Sequence, residues 1–167
     1  LSRGVVTLCA GDVIFPGAVL NASLDRGRPY YDAIVAEEID YDAMALGNHE
    51  FDLGPHVLAE FIRSFTRKPR PPFLAANLDA KAELVLQFLV QEGRLVSRAV
   101  VLAGGEKIGV VGLVTDTLAT KSNPGGCVAR SDLAGAVQAE VDALEQSGVN
   151  KIVLLSHLQS IKTDAEL

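Results

Sequence analysis

The chain is organised around one stretch, Ala45–Gly54, in which an apolar run gives way to a polar loop at Gly47. The polar side chains of the loop are Asn48, His49, Glu50 and Asp52. An amphipathic helical pattern starts after Gly54, and strand, polar loop and helix is the layout in which α/β proteins place chemistry. For an isolated Asn-His pair, a hydrogen-bonded turn with a helix cap would be the favoured interpretation, since Asn and Asp favour turns. The complete hexapeptide from Gly47 to Asp52 is far more specific, and it favours a functional site.

Two further polar residues follow apolar runs that have the character of buried strands. Asp12 follows the run at 5–10, and His157 follows the run at 151–155. Strand ends of one sheet can meet in one crevice, so we expect Asp12, Asn48 and His157 to converge. Oxygen and imidazole ligands suit Mn, Zn, Fe, Co or Ni without choosing among them. The alternatives are a turn residue or helix cap for Asp12 and a structural histidine for His157.

The remaining pattern predicts an α/β fold that is not purely parallel. A short helix is predicted at 17–24. A second is predicted with Pro29 in its first turn, where four apolar residues give a stripe: Tyr31, Ile34, Val35 and Ile39. Longer helices are predicted from apolar periodicity near 58–65 and 133–144. The β-rich runs at 97–103 and 107–114 are joined by two glycines, which indicates a hairpin. Residues 84–90 fit a helix or a strand.

Composition excludes several classes of protein. No apolar run approaches the roughly 20 residues that a membrane span needs, and a net charge of −6 disfavours a nucleic-acid surface. An acidic chain can still bind phosphates when metal ions supply the positive charge. The two cysteines, Cys9 and Cys127, do not make a disulfide framework. The 167 residues suffice for one domain with a sizeable core.

Five motifs, in order, resemble those of the calcineurin-like metallophosphoesterases, and the run through Asp52 and Gly54 resembles their 5′-nucleotidase branch. The motifs are Ala10-Gly11-Asp12 with Gly17, Asp40-Tyr41-Asp42-Ala43, Gly47-Asn48-His49-Glu50, Ala75-Ala76-Asn77-Leu78 and Ser156-His157-Leu158. The resemblance covers nearly the whole chain. It implies a mixed β-sandwich flanked by helices, four layers in the order αββα and incomplete at both ends. We expect residues 1–167 to form a single domain, most of the catalytic domain, without the nucleotide-specificity domain of 5′-nucleotidases.

The resemblance also implies roles for five residues and a requirement for two divalent metal ions. Asp12 would bridge both ions, and Asn48 and His157 would bind the second ion only. His49 is not carried over as a metal ligand: its equivalent faces the phosphate, and Asp52 orients the ring. The implied activity is hydrolysis of phosphate esters, most directly 5′-nucleotidase action on small-molecule nucleotides. The alternatives are a 2′,3′-cyclic-nucleotide phosphodiesterase, a UDP-sugar hydrolase, or a binding module that has lost catalysis.

The chain also departs from the family pattern. The Asp-x-His block that precedes the first strand has no counterpart here, and the Gly-His-x-His block would lie beyond Leu167. Because the chain begins without Met and ends at the start of a helix, we expect it to be an internal piece of a longer protein. Pro16 and Gln159 stand where this branch more often has Gln and Gly. An extracytoplasmic location is suggested by the family resemblance alone.

Overall fold

The computed structural model describes residues 4–167. Over that range the α-helices are Ala18–Arg26 (α1), Tyr31–Ile39 (α2), Gly54–Arg63 (α3), Leu84–Gln91 (α4), Leu118–Lys121 (α5), Leu133–Gln146 (α6) and Ile161–Ala165 (α7). The strands are Leu8–Cys9 (β1), Ala43–Ala45 (β2), Phe73–Leu74 (β3), Leu78–Asp79 (β4), Leu95–Val96 (β5), Arg98–Ala103 (β6), Glu106–Val114 (β7), Val128–Ala129 (β8) and Ile152–His157 (β9). A 3₁₀ turn, His49–Phe51, lies between β2 and α3.

Two sheets form the centre of the fold. The first has the strand order β1-β2-β3-β5, and its neighbouring strands are parallel. The second has the order β6-β7-β9; the predicted hairpin pairs β6 with β7 antiparallel, whereas β9 runs parallel to β7. Strands β4 and β8 form a small antiparallel ladder beside them. The predicted α/β fold with mixed sheets is confirmed.

Three apolar clusters show how the layers pack. Helices α1 to α4 contribute buried side chains to a cluster against the first sheet that includes Phe61 and Phe73. The two sheets face each other across a cluster around Leu74 and Val110. Helix α6 covers the outer face of the second sheet through Leu144. The layers therefore follow the order helix, sheet, sheet, helix. Among the described residues, none of the helices combines the length and the apolar character that crossing a membrane requires.

Two local predictions about α2 were wrong. Pro29 precedes this helix instead of lying in its first turn, because α2 begins at Tyr31. The predicted apolar stripe does not face the core: Tyr31 and Val35 are exposed, and the buried side chains are Ala33 and Ala36. The helix is thus rotated so that its alanines, and not its larger apolar side chains, face the core. The ambiguous segment at 84–90 is helical.

Candidate functional site

The loop after β2 turns tightly enough to bring His49 and Asp52 together. The backbone amide of Asp52 donates to the carbonyl of His49 at 3.2 Å, which closes the 3₁₀ turn. His49 Nδ1 lies 2.5 Å from Asp52 Oδ2, and Ser122 Oγ donates to the other carboxylate oxygen at 2.7 Å. The hydrogen bond to Asp52 raises the pKa of His49 above its ordinary value, while partial burial opposes the rise. Ser122 was not found by sequence reasoning, because it lies 70 positions from Asp52.

The exposed side of His49 meets an aromatic ring. Phe15 lies with its ring centroid 4.2 Å from the centroid of His49 at an interplanar angle of 50°, and it is 59% exposed. Asp52 on one side and Phe15 on another restrict the orientation of the imidazole. With Nδ1 engaged by Asp52, an oxygen of a bound substrate would meet Nε2.

Glu50 is the residue of the loop whose role sequence reasoning missed. Its side chain is buried, and Oε1 accepts hydrogen bonds from the amides of Val13 and Ile14 at 2.6 and 3.3 Å. Oε2 accepts from the amides of Asp12 and Gly47 at 2.9 and 2.6 Å. Burial raises the pKa of Glu50, and the N–H donors oppose that rise. One carboxylate thus ties the loop after β1 to the loop after β2.

The two loops also touch through their backbones, and glycine is required at this contact. A Cβ on Gly11, whose φ is +99°, would lie 2.4 Å from the nitrogen of Gly47. A Cβ on Gly47 would lie 2.2 Å from Asp12 Oδ1. Asp12 has a left-handed backbone, with φ of 58°, and such conformations in non-glycine residues cluster at functional sites. The Asp12 carboxylate therefore contacts the loop after β2, where Oδ1 accepts a hydrogen bond from the amide of His49 at 3.0 Å.

His157, at the end of β9, reaches the same place from the second sheet. Its Nε2 lies 3.1 Å from Asp12 Oδ2, and its Nδ1 lies 2.7 Å from the carbonyl oxygen of Ala10. A carbonyl accepts only, so Nδ1 carries a proton and donates it to Ala10, and Nε2 is the ring nitrogen that faces the Asp12 carboxylate. Nε2 is buried and makes no hydrogen bond. A carboxylate oxygen and an imidazole nitrogen at this distance can share a proton, or both can bind one cation.

Asn48, the third predicted ligand, is buried beside this pair. Its side-chain oxygen accepts a hydrogen bond from Gln159 Nε2, and Gln159 lies two residues beyond His157. Asn48 is joined to Asp12 through the amide of His49, the next residue in the chain. The structure therefore brings the loops that carry Asp12, Asn48 and His157 to one edge of the sandwich. His49 and Asp52 lie at the rim of the same edge.

The residues present fit a divalent transition metal. Two ligand atoms each about 2.0 to 2.2 Å from one ion lie roughly 3 to 3.5 Å apart at right-angled to tetrahedral geometry. The 3.1 Å between Asp12 Oδ2 and His157 Nε2 falls in that range. In the part of the chain that the structure describes, no three His, Cys, Asp or Glu side chains form a metal-holding group. The amide oxygen of Asn48, which is buried and precedes the residue whose N–H donates to Asp12, is the predicted third ligand.

Comparison with known proteins finds relatives over nearly the whole chain. The chain is 37% identical over 157 residues to the probable 5′-nucleotidase of Treponema pallidum. The aligned region covers 93% of this chain and 24% of the relative. The crystal structure of the 5′-nucleotidase precursor of Thermus thermophilus superposes with a TM-score of 0.78 at 38% identity, over 95% of this chain and 29% of that one. A calcineurin-like phosphoesterase of Bacillus subtilis, YfkN, shares the fold at 21% identity, with a TM-score of 0.68 over 91% of this chain.

The family resemblance predicted from the motifs is confirmed. This chain is a homologue of 5′-nucleotidases and has the fold of calcineurin-like phosphoesterases. It spans about a quarter of the length of the curated relatives it matches, 24% of the Treponema protein. No family model matches the chain.

Proposed function

We propose that this chain supplies one metal site and the phosphate-facing histidine of a dinuclear-metal phosphoesterase of the 5′-nucleotidase type. The observation that carries the proposal is the contact between Asp12 Oδ2 and His157 Nε2 at 3.1 Å, because a carboxylate oxygen and an imidazole nitrogen are both metal ligands and lie here at a spacing that suits one ion. Nδ1 donates to Ala10, so Nε2 is the ring nitrogen that would be available to a metal ion.

Asp12, Asn48 and His157 would hold the metal. A carboxylate has two oxygens, so Asp12 can bridge two ions, and a neutral amide at Asn48 avoids excess negative charge. Paired divalent ions, when bound, supply a water activated for attack and stabilise charge on the attacking and leaving oxygens. Mn, Zn, Co, Fe and Ni all suit this donor set. A first metal site would keep only the bridging Asp12 in this chain.

His49 would act on the substrate directly. The Asp52 carboxylate holds Nδ1 at 2.5 Å and favours the protonated ring. A proton at Nε2 would then be donated to a phosphate oxygen in the transition state or to the leaving oxygen. This combination of electrostatic and acid catalysis has a basis in the geometry, because Ser122, Asp52 and His49 form a continuous hydrogen-bonded chain.

The substrate class is a nucleotide or another small phosphate ester. The support is homology to proteins named 5′-nucleotidase over most of this chain. A cyclic-nucleotide phosphodiesterase or a UDP-sugar hydrolase would use the same core residues and would differ in what surrounds them. An extracytoplasmic location remains a prediction, in keeping with the Thermus relative being described as a precursor.

Metal binding tests the first half of the proposal. We expect the 167-residue chain to bind at most one Mn²⁺, weakly, because a stable transition-metal site normally has three or four protein ligands and the other site keeps one. Titration of Mn²⁺ followed by electron paramagnetic resonance counts bound ions even at weak affinity. The variants Asp12→Asn and His157→Ala should abolish binding, and Lys151→Ala, which removes an exposed ion pair with Glu106, should not. Two tight sites in the chain would contradict the proposed ligand set.

Catalysis is tested in a chimera. The matched 29% of the Thermus 5′-nucleotidase is replaced by this chain, so that the recipient supplies the remaining ligands. Phosphate release from AMP should be restored in the chimera and near background in the isolated chain. A folded chimera that binds two ions but releases no phosphate would favour the non-catalytic binding module.

A further inference from the structure

Gln159 lies at the candidate metal site, although no role in catalysis or binding was predicted for it. Its Nε2 donates a hydrogen bond to Asn48 Oδ1, the only neutral oxygen among the proposed ligands. The two residues are separated by 111 positions in the sequence, so folding of both sheets is needed to bring them together. Asn48 is buried, whereas Gln159 is exposed. The contact therefore reaches from the protein surface to a buried ligand atom.

The backbone holds Gln159 in place at a conformation that glycine would adopt more easily. Its φ is 60°, in the left-handed region, which non-glycine residues enter at a cost. The residues on either side are fixed: Leu158 is buried, and Ser160 caps α7 by accepting the amide of Thr163 at 3.2 Å. Since Cα and both neighbours are anchored, the side chain of Gln159 is directed consistently toward Asn48. Persistence of a strained residue beside a site points to a role for its side chain.

We propose that Gln159 is a positioning residue that orients the amide of Asn48 for metal binding. An asparagine amide can present either its oxygen or its nitrogen, and only the oxygen can bind a cation. The N–H of Gln159 can donate to Asn48 only when the oxygen of the Asn48 amide faces it. A carbonyl oxygen has two lone pairs, so one can accept the N–H while the other binds the ion. This inference rests on the metal site of the proposed function.

Three variants separate this role from a purely structural one. Gln159→Met keeps the length of the side chain and removes the donor. Gln159→Gly removes the side chain and relieves the backbone. Gln138→Met is the matched control, because Gln138 also uses Nε2 in a side-chain hydrogen bond, to Asp142 at 2.6 Å, but lies on the exposed face of α6. Each variant of the 167-residue chain is titrated with Mn²⁺ by electron paramagnetic resonance, and its melting temperature is measured without metal.

We expect Gln159→Met to weaken Mn²⁺ binding by about 10-fold, within the range for groups that orient metal ligands, and Gln138→Met to change it by less than about twofold. Gln159→Gly should weaken binding similarly while its metal-free melting temperature is unchanged or higher. A purely structural residue would move stability and affinity together. The visible spectrum of bound Co²⁺ should also change in Gln159→Met, because the orientation of a ligand has changed.

The outcomes distinguish the two proposals. If the unmodified chain binds neither Mn²⁺ nor Co²⁺, the metal site fails, and the role of Gln159 fails with it. If the unmodified chain binds Mn²⁺ and Gln159→Met binds it equally well, the role of Gln159 alone is overturned. Tighter binding by Gln159→Met would also overturn it, because Gln159 would then compete with the cation for Asn48.

Discussion

Replacement of Glu50 by glutamine tests how the site is assembled. Both carboxylate oxygens of Glu50 accept two backbone amides each, from the loops that carry Asp12 and Gly47. A glutamine has one oxygen and one NH₂ group, so in either orientation two amides lose their acceptor and face another donor. An unsatisfied buried donor costs about 1 to 3 kcal/mol, which gives about 2 to 6 kcal/mol for two amides.

Part of that cost is offset, because a buried charge is removed with the carboxylate. We therefore expect Glu50→Gln to reduce the free energy of unfolding by about 2 to 4 kcal/mol. For a chain of this size the melting temperature should fall by about 5 to 15 °C. Mn²⁺ affinity should fall as well, because Glu50 holds the backbone of Asp12.

The assay is thermal unfolding followed by circular dichroism, with Glu106→Gln as the matched control. Glu106 accepts from Lys151 at 3.0 Å, but both side chains are more than half exposed, and such pairs contribute about 0 to 1 kcal/mol. If Glu50→Gln lowers the melting temperature no more than Glu106→Gln does, the argument from four amide donors is refuted.

Three further perturbations have defined outcomes. Gly47→Ala should weaken Mn²⁺ binding at least about 10-fold, because the new Cβ would lie 2.2 Å from Asp12 Oδ1. The control is Gly4→Ala, whose new Cβ would have no atom within 4 Å. Equal Mn²⁺ affinity of the two variants would contradict the steric argument. His49→Ala in the chimera should lower kcat by roughly 10²-fold while Mn²⁺ stays bound, and loss of the metal from a folded variant would mean that His49 is a ligand. Burial raises the pKa of Cys127 to about 12. At about pH 8, near the ordinary pKa of a thiol, iodoacetamide should therefore label this cysteine only after the chain is unfolded in urea. Fast labelling of the native chain would contradict the burial of Cys127.

The positions of the candidate ligands at strand ends could be predicted because their signal is local. Asp12 and Asn48 each follow a short apolar strand, and in a parallel sheet the carboxyl ends of neighbouring strands lie at one edge. His157 was predicted from the same pattern, yet its strand belongs to the second sheet. The prediction assumed that all three strands belong to one sheet, and that premise was wrong, because nothing local in the sequence indicates how two sheets face each other.

Glu50, Ser122 and Gln159 could not be assigned from the sequence for a physical reason. Each acts through a partner at least 36 positions away or through backbone amides whose direction depends on the fold. Polar residues of this kind resemble solvated loop residues until the tertiary structure is known. The orientation of helix α2 was misjudged for a related reason: periodicity finds an apolar stripe, but the tertiary structure buries Ala33 and Ala36 instead.

Asn77 explains how the second sheet delivers His157 to a site built mainly on the first sheet. Asn77 follows β3 and is fully buried; its Nδ2 donates to the carbonyl of Val114 at 2.8 Å, and its Oδ1 accepts the amide of Val114 at 3.1 Å. Val114 ends β7 and is the register partner of His157 in β9. The side chain of Asn77 thereby joins the segment after β3 to the end of β7. Because β7 pairs with β9, this contact also sets the position of His157 along the strand direction relative to Asp12. The two sheets must pack in this register for the 3.1 Å contact to form, so the candidate metal site is a consequence of the sandwich as a whole.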